Sequence, residues 1–226
     1  MHRDWRAFWS QQEDPRYGTD QADFARNHGR EISILLGDLA GKSILELGCG
    51  SGTLYRILGF DRSRIYRGVD FSERMLEVFR STHPGAEVVC ADAASYRDST
   101  RYDIVFSNQV VQYFDRRMFE RHVANARAML APGGRFLVCS APWKSARAAY
   151  HLQPANGTAT RYVRQLVLLG LSHLGVDRLG NWYSFADFRR TARRNGFDVR
   201  FFGCMHYPYR FHAVFETTDR QTPRIS

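Results

Sequence analysis

Hydrophobic positions along the chain follow two patterns. Short apolar runs without alternation occur at Ser43–Leu47, Ile65–Val69, Glu87–Cys90, Asp103–Ser107 and Gly134–Ser140. Segments with helical spacing, Ser72–Ser81 and Asp115–Leu130, lie among them. An unalternating apolar run is a strand buried on both faces, and such strands separated by helices predict a parallel sheet covered on both sides. A glycine-rich loop follows Leu47 and leads into a predicted helix from about Thr53 to Leu58. Ser72 supplies a hydroxyl cap for one helix, and Pro132-Gly133-Gly134 stops another before the fifth strand. Upstream, Phe24, Ile32, Ile34, Leu35 and Leu36 mark an amphipathic helix within Ala22–Leu39.

Residues 141–183 break this rhythm. They hold a loop at Gln153–Gly157 and a helical stretch Tyr162–Leu174, too much chain for a plain connection. The segment is expected to form a cap over the carboxyl edge of the sheet. Ser184–Asn195 reads as the next helix, closed by Gly196. Phe197–Cys204 and Arg210–Thr217 follow, joined by the short Met205–Tyr209 connection, so they should pair antiparallel. The expected organisation is one α/β domain. Residues 1–42 form an N-terminal lid with Trp5, Phe8 and Trp9, residues 43–140 the core, 141–183 the cap, and 184–217 the last helix and hairpin.

Composition narrows the class. With 226 residues, 44% of them hydrophobic, the chain can bury a substantial core. No basic-then-apolar leader opens the sequence, and the longest apolar run, Leu166–Leu171, is too short to span a bilayer, so the expectation is a cytoplasmic protein. Cys49, Cys90, Cys139 and Cys204 form no C-x-x-C pair and read as buried free thiols. The net charge of +9 comes from 30 arginines and only two lysines, Lys42 and Lys144. The clusters Arg116, Arg117, Arg121 and Arg189, Arg190, Arg193, Arg194 sit on predicted helices with apolar residues between them, the pattern of solvated faces. Charge alone therefore does not argue for a nucleic-acid partner; an anionic small substrate and a membrane surface stay open.

The chemistry centres on Ile44-Leu45-Glu46-Leu47-Gly48-Cys49-Gly50-Ser51-Gly52. Glycines between a buried strand and a helix let backbone amides approach a ligand. The spacing departs from the dinucleotide fingerprint, since Thr53 occupies the place of its third glycine. Glu46 would oppose a pyrophosphate and favour a cationic ligand. Residues Glu46–Gly52 resemble the first motif of class I S-adenosylmethionine-dependent methyltransferases. Further motifs of that family follow in order: Val69-Asp70, Cys90-Ala91-Asp92-Ala93, Tyr102–Asn108 and Leu130-Ala131-Pro132-Gly133-Gly134. The resemblance covers residues 43–140 and, by architecture, 184–217. It implies a Rossmann-like, mostly parallel seven-stranded sheet with an antiparallel C-terminal β-hairpin and a helical insertion between strands 5 and 6. It also implies S-adenosyl-L-methionine as cofactor and S-adenosyl-L-homocysteine as product. Gly48, Cys49, Gly50 and Gly52 would lie along the methionine portion, with Glu46 near its amino group. Asp70 would accept from the ribose hydroxyls, Phe71 would cover the adenine face, Asp92 and Ala93 would meet the adenine edge, and Asn108 and Gln109 would pass the sulfonium. Each has a structural alternative: Asp70 and Asp92 as helix caps, Phe71 as a core residue, Asn108 as a turn residue.

Methyl transfer from a sulfonium releases a neutral thioether, so alignment and water exclusion dominate, with a base added when the acceptor is a hydroxyl. His206 and Tyr113 are the candidate catalytic residues, with Gln112, Tyr207, His151 and His173 as further possibilities. Tyr113, Trp143, Trp182, Tyr183, His206 and Tyr207 are the candidate pocket residues. The Asn108-Gln109-Val110-Val111 stretch lacks the prolines found there in methyltransferases of nucleic-acid amines. No Asp/Glu/His spacing suggests a metal, and none is expected. The reading is a small-molecule methyltransferase, directed to a hydroxyl of a natural product, glycan or lipid-like acceptor. An RNA or protein methyltransferase and a non-catalytic nucleotide-binding protein are the alternatives. The oligomeric state stays open, a homodimer included.

Overall fold

The structure, a computed structural model, describes residue 9 and residues 22–152, 159–173, 177 and 179–218. Trp5, Phe8, Leu174 and the Gln153–Gly157 loop lie outside the described residues, as do the side chains of Phe24, Tyr162 and His173. Seven strands, β1 (Ser43–Leu47), β2 (Ile65–Asp70), β3 (Glu87–Cys90), β4 (Tyr102–Asn108), β5 (Leu130–Pro142), β6 (Phe197–Gly203) and β7 (Arg210–Thr217), form one sheet in the order β3-β2-β1-β4-β5-β7-β6. The first five are parallel, and β7 runs antiparallel to both neighbours, β5 and β6. This is the parallel sheet with a terminal hairpin that the apolar runs predicted, in the Rossmann-like, seven-stranded form that the family resemblance implied. The helices are α1 (Ala22–Leu36), α2 (Glu73–Thr82), α3 (Arg116–Met129), α4 (Arg147–His151), α5 (Ala159–His173) and α6 (Phe185–Arg194).

Strand periodicity explains the two-layer core. Neighbouring side chains point to opposite faces, so Leu45, Phe136 and Phe215 join one buried cluster while Ile44, Leu137 and Val214 join the other. The first cluster packs under α3 and α6 through Phe119, Val123, Phe188 and Ala192. The second packs under α1 and α2 through Ile32, Leu36, Leu76 and Phe79. The helix starts follow the sequence. The Ser72 hydroxyl accepts from the Met75 amide, the Asp115 carboxylate from the Met118 amide, and Ser184 with Asp187 forms a capping box.

Four sequence expectations change. Thr53–Leu58 forms a run of turns rather than a helix. Gly52 and Gly59 both hold left-handed conformations and bracket only six residues, too few to repay helix nucleation. Cys90 is exposed, because β3 is an edge strand with two of its four residues open to solvent. Ile34 stands on the solvent side of α1 at 81% exposure. In the insertion, Val163, Leu166 and Val167 of α5 are also exposed rather than turned to the core. No helix among the described residues is long and apolar enough to cross a membrane.

Candidate active site

The carboxyl tips of β1 to β5 and the start of β7 meet at one edge of the sheet. After β1, Gly48, Gly50 and Gly52 have φ values of +85°, +54° and +81°, a region costly for any residue with a β-carbon. Their environments differ. A β-carbon on Gly48 would fall 2.2 Å from Val110, and one on Gly52 within 2.9 Å of Phe79 and His83. One on Gly50 would meet nothing within 4 Å, so bare backbone there faces open space. The loop is pinned from below: the amides of Gly48 and Cys49 donate to the Val69 carbonyl at 2.7 and 3.1 Å.

Asp70 ties this loop to the next. Its Oδ2 accepts from the Gly50 amide at 3.0 Å and its Oδ1 from the Ser72 amide at 2.9 Å. Burial raises the Asp70 pKa, and these backbone donors, with that of Phe71, pull it back. Glu46 lies beneath the loop, 4% exposed, with the Tyr66 hydroxyl donating to its Oε2 at 2.5 Å. Gly68, the β2 partner of Glu46, makes this contact possible, because a β-carbon there would sit 2.9 Å from both the Tyr66 hydroxyl and the Cys49 sulfur. Burial pushes the Glu46 carboxyl up to about 8. A cation beside it would restore the charged form. The bare backbone at Gly50, the carboxylate of Asp70 and a buried acid with no cation paired to it among the described residues fit the methionine and ribose portions of S-adenosylmethionine.

Asp92 accepts from the Ala94 amide at 2.8 Å and so holds the turn after β3; no helix follows there for it to cap. That turn is held from inside the molecule. The imidazole of His122, on α3, meets the Ala93 carbonyl at 2.8 Å and the Ser107 hydroxyl at 3.2 Å. His122 is fully buried, which lowers its pKa to about 4 and keeps it neutral. Sequence reading missed it, since a histidine on the apolar face of a helix carries no motif. Phe71 is half-buried beside these tips.

The other half of the edge is built from residues distant in sequence. Gln109, just past β4, and Ser140, at a register irregularity within β5, adopt φ values of +56° and +57°. His28 Nε2, from α1, lies 3.1 Å from the Ser140 hydroxyl and 3.4 Å from Asn108 Oδ1. Arg210 Nη1 donates to the Ser140 carbonyl at 2.5 Å and to Gln112 Oε1 at 2.6 Å. Its guanidinium is 4% exposed, stands 5.3 Å from the Tyr207 ring centre and 5.6 Å from that of Tyr209, and has no carboxylate partner among the described residues. Neither His28 nor Arg210 was visible as a site residue in the sequence.

The candidate catalytic and pocket residues divide. His206 and Tyr207 come to this edge, with ring centres 6.2 and 5.6 Å from that of His28. Tyr113 meets the edge of Trp9 at 5.9 Å, and the Trp9 carbonyl accepts from the Ser72 hydroxyl at 3.4 Å, so Trp9 touches both halves of the edge. Trp143 stacks on Phe185 with rings 11° from parallel. Tyr183 is buried and donates to the carbonyls of Val111 and Phe114, both at 2.8 Å, which fixes the turn carrying Gln112 and Tyr113. Trp182 and His151 share the Asp177 carboxylate at 2.7 and 3.0 Å, and Tyr150 links Trp182 to Tyr209 beside Arg210.

Known proteins resemble this edge and the sheet that carries it. Residues 44–134 match the family profile described as a methyltransferase domain. A trans-aconitate 2-methyltransferase of Acidovorax sp. is 33% identical over 118 residues, 49% of this chain and 44% of that protein. A ubiquinone biosynthesis O-methyltransferase of Coxiella burnetii is 28% identical over 102 residues, 43% of this chain and 42% of that protein. The chain thus spans less than half the length of these relatives. The crystal structure of magnesium protoporphyrin IX methyltransferase from Synechocystis PCC 6803 with bound S-adenosylmethionine superposes with a TM-score of 0.60 at 16% identity, covering 94% of this chain and 89% of that one. At that identity the likeness establishes the fold. Residues 44–134 are thus similar to a methyltransferase domain, and the chain shares the fold of a class I S-adenosylmethionine-dependent methyltransferase.

Proposed function

We propose that this chain transfers a methyl group from S-adenosylmethionine to a hydroxyl of a small acceptor that carries a negative charge. The observation supporting the acceptor class is Arg210: a guanidinium buried with only neutral oxygens and aromatic faces around it favours an incoming anion. Relatives named for trans-aconitate, a tricarboxylate, agree with the negative charge of this acceptor, not with its hydroxyl. The cofactor supplies an electrophilic methyl group on a sulfonium. Gly48, Cys49, Gly50 and Gly52 line its methionine portion, Glu46 balances its ammonium, and Asp70 accepts from the ribose. Phe71, Asp92 and Ala93 hold the adenine, while Asn108 and Gln109 border the transfer point. Arg210, oriented by Gln112 and Ser140, fixes the acceptor anion, and His206 or Tyr113 takes the proton from its hydroxyl oxygen.

The test is methyl transfer from labelled S-adenosylmethionine to a panel of hydroxy acids, each paired with its methyl ester or amide, and to total RNA. Turnover of acids over their neutral partners is expected. Equal turnover of both forms would remove Arg210 from acceptor recognition, and labelling confined to RNA would move the reading to a nucleic-acid methyltransferase.

A further inference from the structure

Behind the acceptor edge, α1 and the β6–β7 connection bring together groups that the methyl-transfer reading does not use. His28 and Glu31 lie one turn apart on α1, and Cys204 directly follows β6. His28 Nδ1 is 3.9 Å from Glu31 Oε2, Cys204 Sγ is 3.7 Å from the same oxygen, and all three donor atoms lie within 4.8 Å of one another. We propose that His28, Glu31 and Cys204 bind one divalent transition-metal ion, with zinc as the best match to this nitrogen, oxygen and sulfur set.

Three features support the site. The first is spacing. Tetrahedral zinc with bonds of about 2.0–2.3 Å sets its ligand atoms roughly 3.3–3.8 Å apart; the 3.9 Å from His28 Nδ1 to Glu31 Oε2 is close to this and too long for an ordinary nitrogen–oxygen hydrogen bond, while the 3.7 Å from Cys204 Sγ fits both this spacing and a weak S–H···O contact. The second is the way each ligand is held. His28 Nε2 engages Ser140 and Asn108, leaving Nδ1 turned to the cluster. Glu31 Oε1 accepts from the Met205 amide at 2.6 Å and lies 3.4 Å from His212 Nε2, leaving Oε2 turned inward. Such outer contacts orient ligands in metal sites. The third is enclosure: His28 and Cys204 are 2% and 5% exposed. Metal loading would exchange the Cys204 S–H bond for a sulfur–metal bond and release the proton to solvent. Three protein ligands leave one coordination position for water. The ion would clasp α1 to the hairpin and, through His28, steady Asn108 at the tip of β4. The ligands at 28, 31 and 204 share no motif spacing, which is why no metal was expected from the sequence.

Chelator-treated protein titrated with zinc by calorimetry, and with cobalt(II) by absorption, tests this without reference to methyl transfer. One equivalent should bind, with a thiolate-to-cobalt charge-transfer band. Cys204→Ser should abolish the band, His28→Gln should weaken zinc binding by about tenfold or more, and Cys90→Ser, which changes the exposed thiol, should leave both unchanged. Absence of stoichiometric binding to the unaltered protein overturns the proposal whatever the variants do. So does a band that survives Cys204→Ser or disappears in Cys90→Ser.

Discussion

The two halves of the strand-tip edge are built by different means. Around β1 to β3, groups close in sequence do the work: three glycines, Asp70 joining two loops through backbone amides, and Asp92 holding its own turn. Around β4, β5 and β7, side chains from Asn108, Gln112, Ser140, Arg210 and His28 interlock across intervals of up to 112 residues. The first half is backbone shape. The second is side-chain chemistry brought together by the fold. A donor common to a family suits the first, and an acceptor that differs between members suits the second.

Several variants would break or sharpen this contrast. The largest effect is expected at Glu46, in the donor half. Its folded pKa of about 8 exceeds the ordinary value of 4.5, so the folded state holds a proton that the unfolded chain has lost. Stability should therefore fall as pH rises from about 4.5 to about 8 and then level off. Glu46→Gln should flatten this slope in denaturant titrations, and a slope that persists would place its origin elsewhere. If the cofactor ammonium lies beside Glu46, binding at pH 7 should also release protons, read as a dependence of binding heat on buffer ionisation.

Asp70→Ala should weaken S-adenosylmethionine binding by about 1–3 kcal/mol, through lost charged hydrogen bonds and a loosened loop. Calorimetry reads this directly. Arg210→Met should do the converse, raising KM for an acidic acceptor by about tenfold, or roughly 1.4 kcal/mol, with cofactor affinity preserved. If both variants weakened both ligands equally, the division of the edge would fail. Tyr183→Phe should have the smallest effect, about 1 kcal/mol of stability for the lost hydroxyl donor, with cofactor affinity unchanged. Thermal denaturation checks it.

The same contrast explains what was legible beforehand. Parallel order, the hairpin and the glycine loop are local patterns, and all three were readable from runs of a few residues. So were Ser72, Asp115 and Ser184 as caps. The Thr53–Leu58 helix failed because two flanking glycines shorten the segment, a competition that periodicity does not weigh. Tyr183 and Trp143 read as pocket aromatics, yet the hydroxyl of Tyr183 is spent on two carbonyls and Trp143 stacks on Phe185. Aromatic composition says nothing about which face a ring will occupy. Arg210 was hidden among 30 arginines, and only its burial distinguishes it. His122 and His28 needed their tertiary partners before any role could be read.

The reversed direction of β7 has a practical outcome. Arg210 pairs with Pro142 at the ligand edge, whereas Glu216 pairs with Arg135 towards the opposite end of β5. The chain therefore leaves the sheet at Thr217 on the side remote from the glycine loop. A fluorophore or surface tether attached at Thr217 itself would stand at the opposite end of the sheet from the glycine loop and from Arg210.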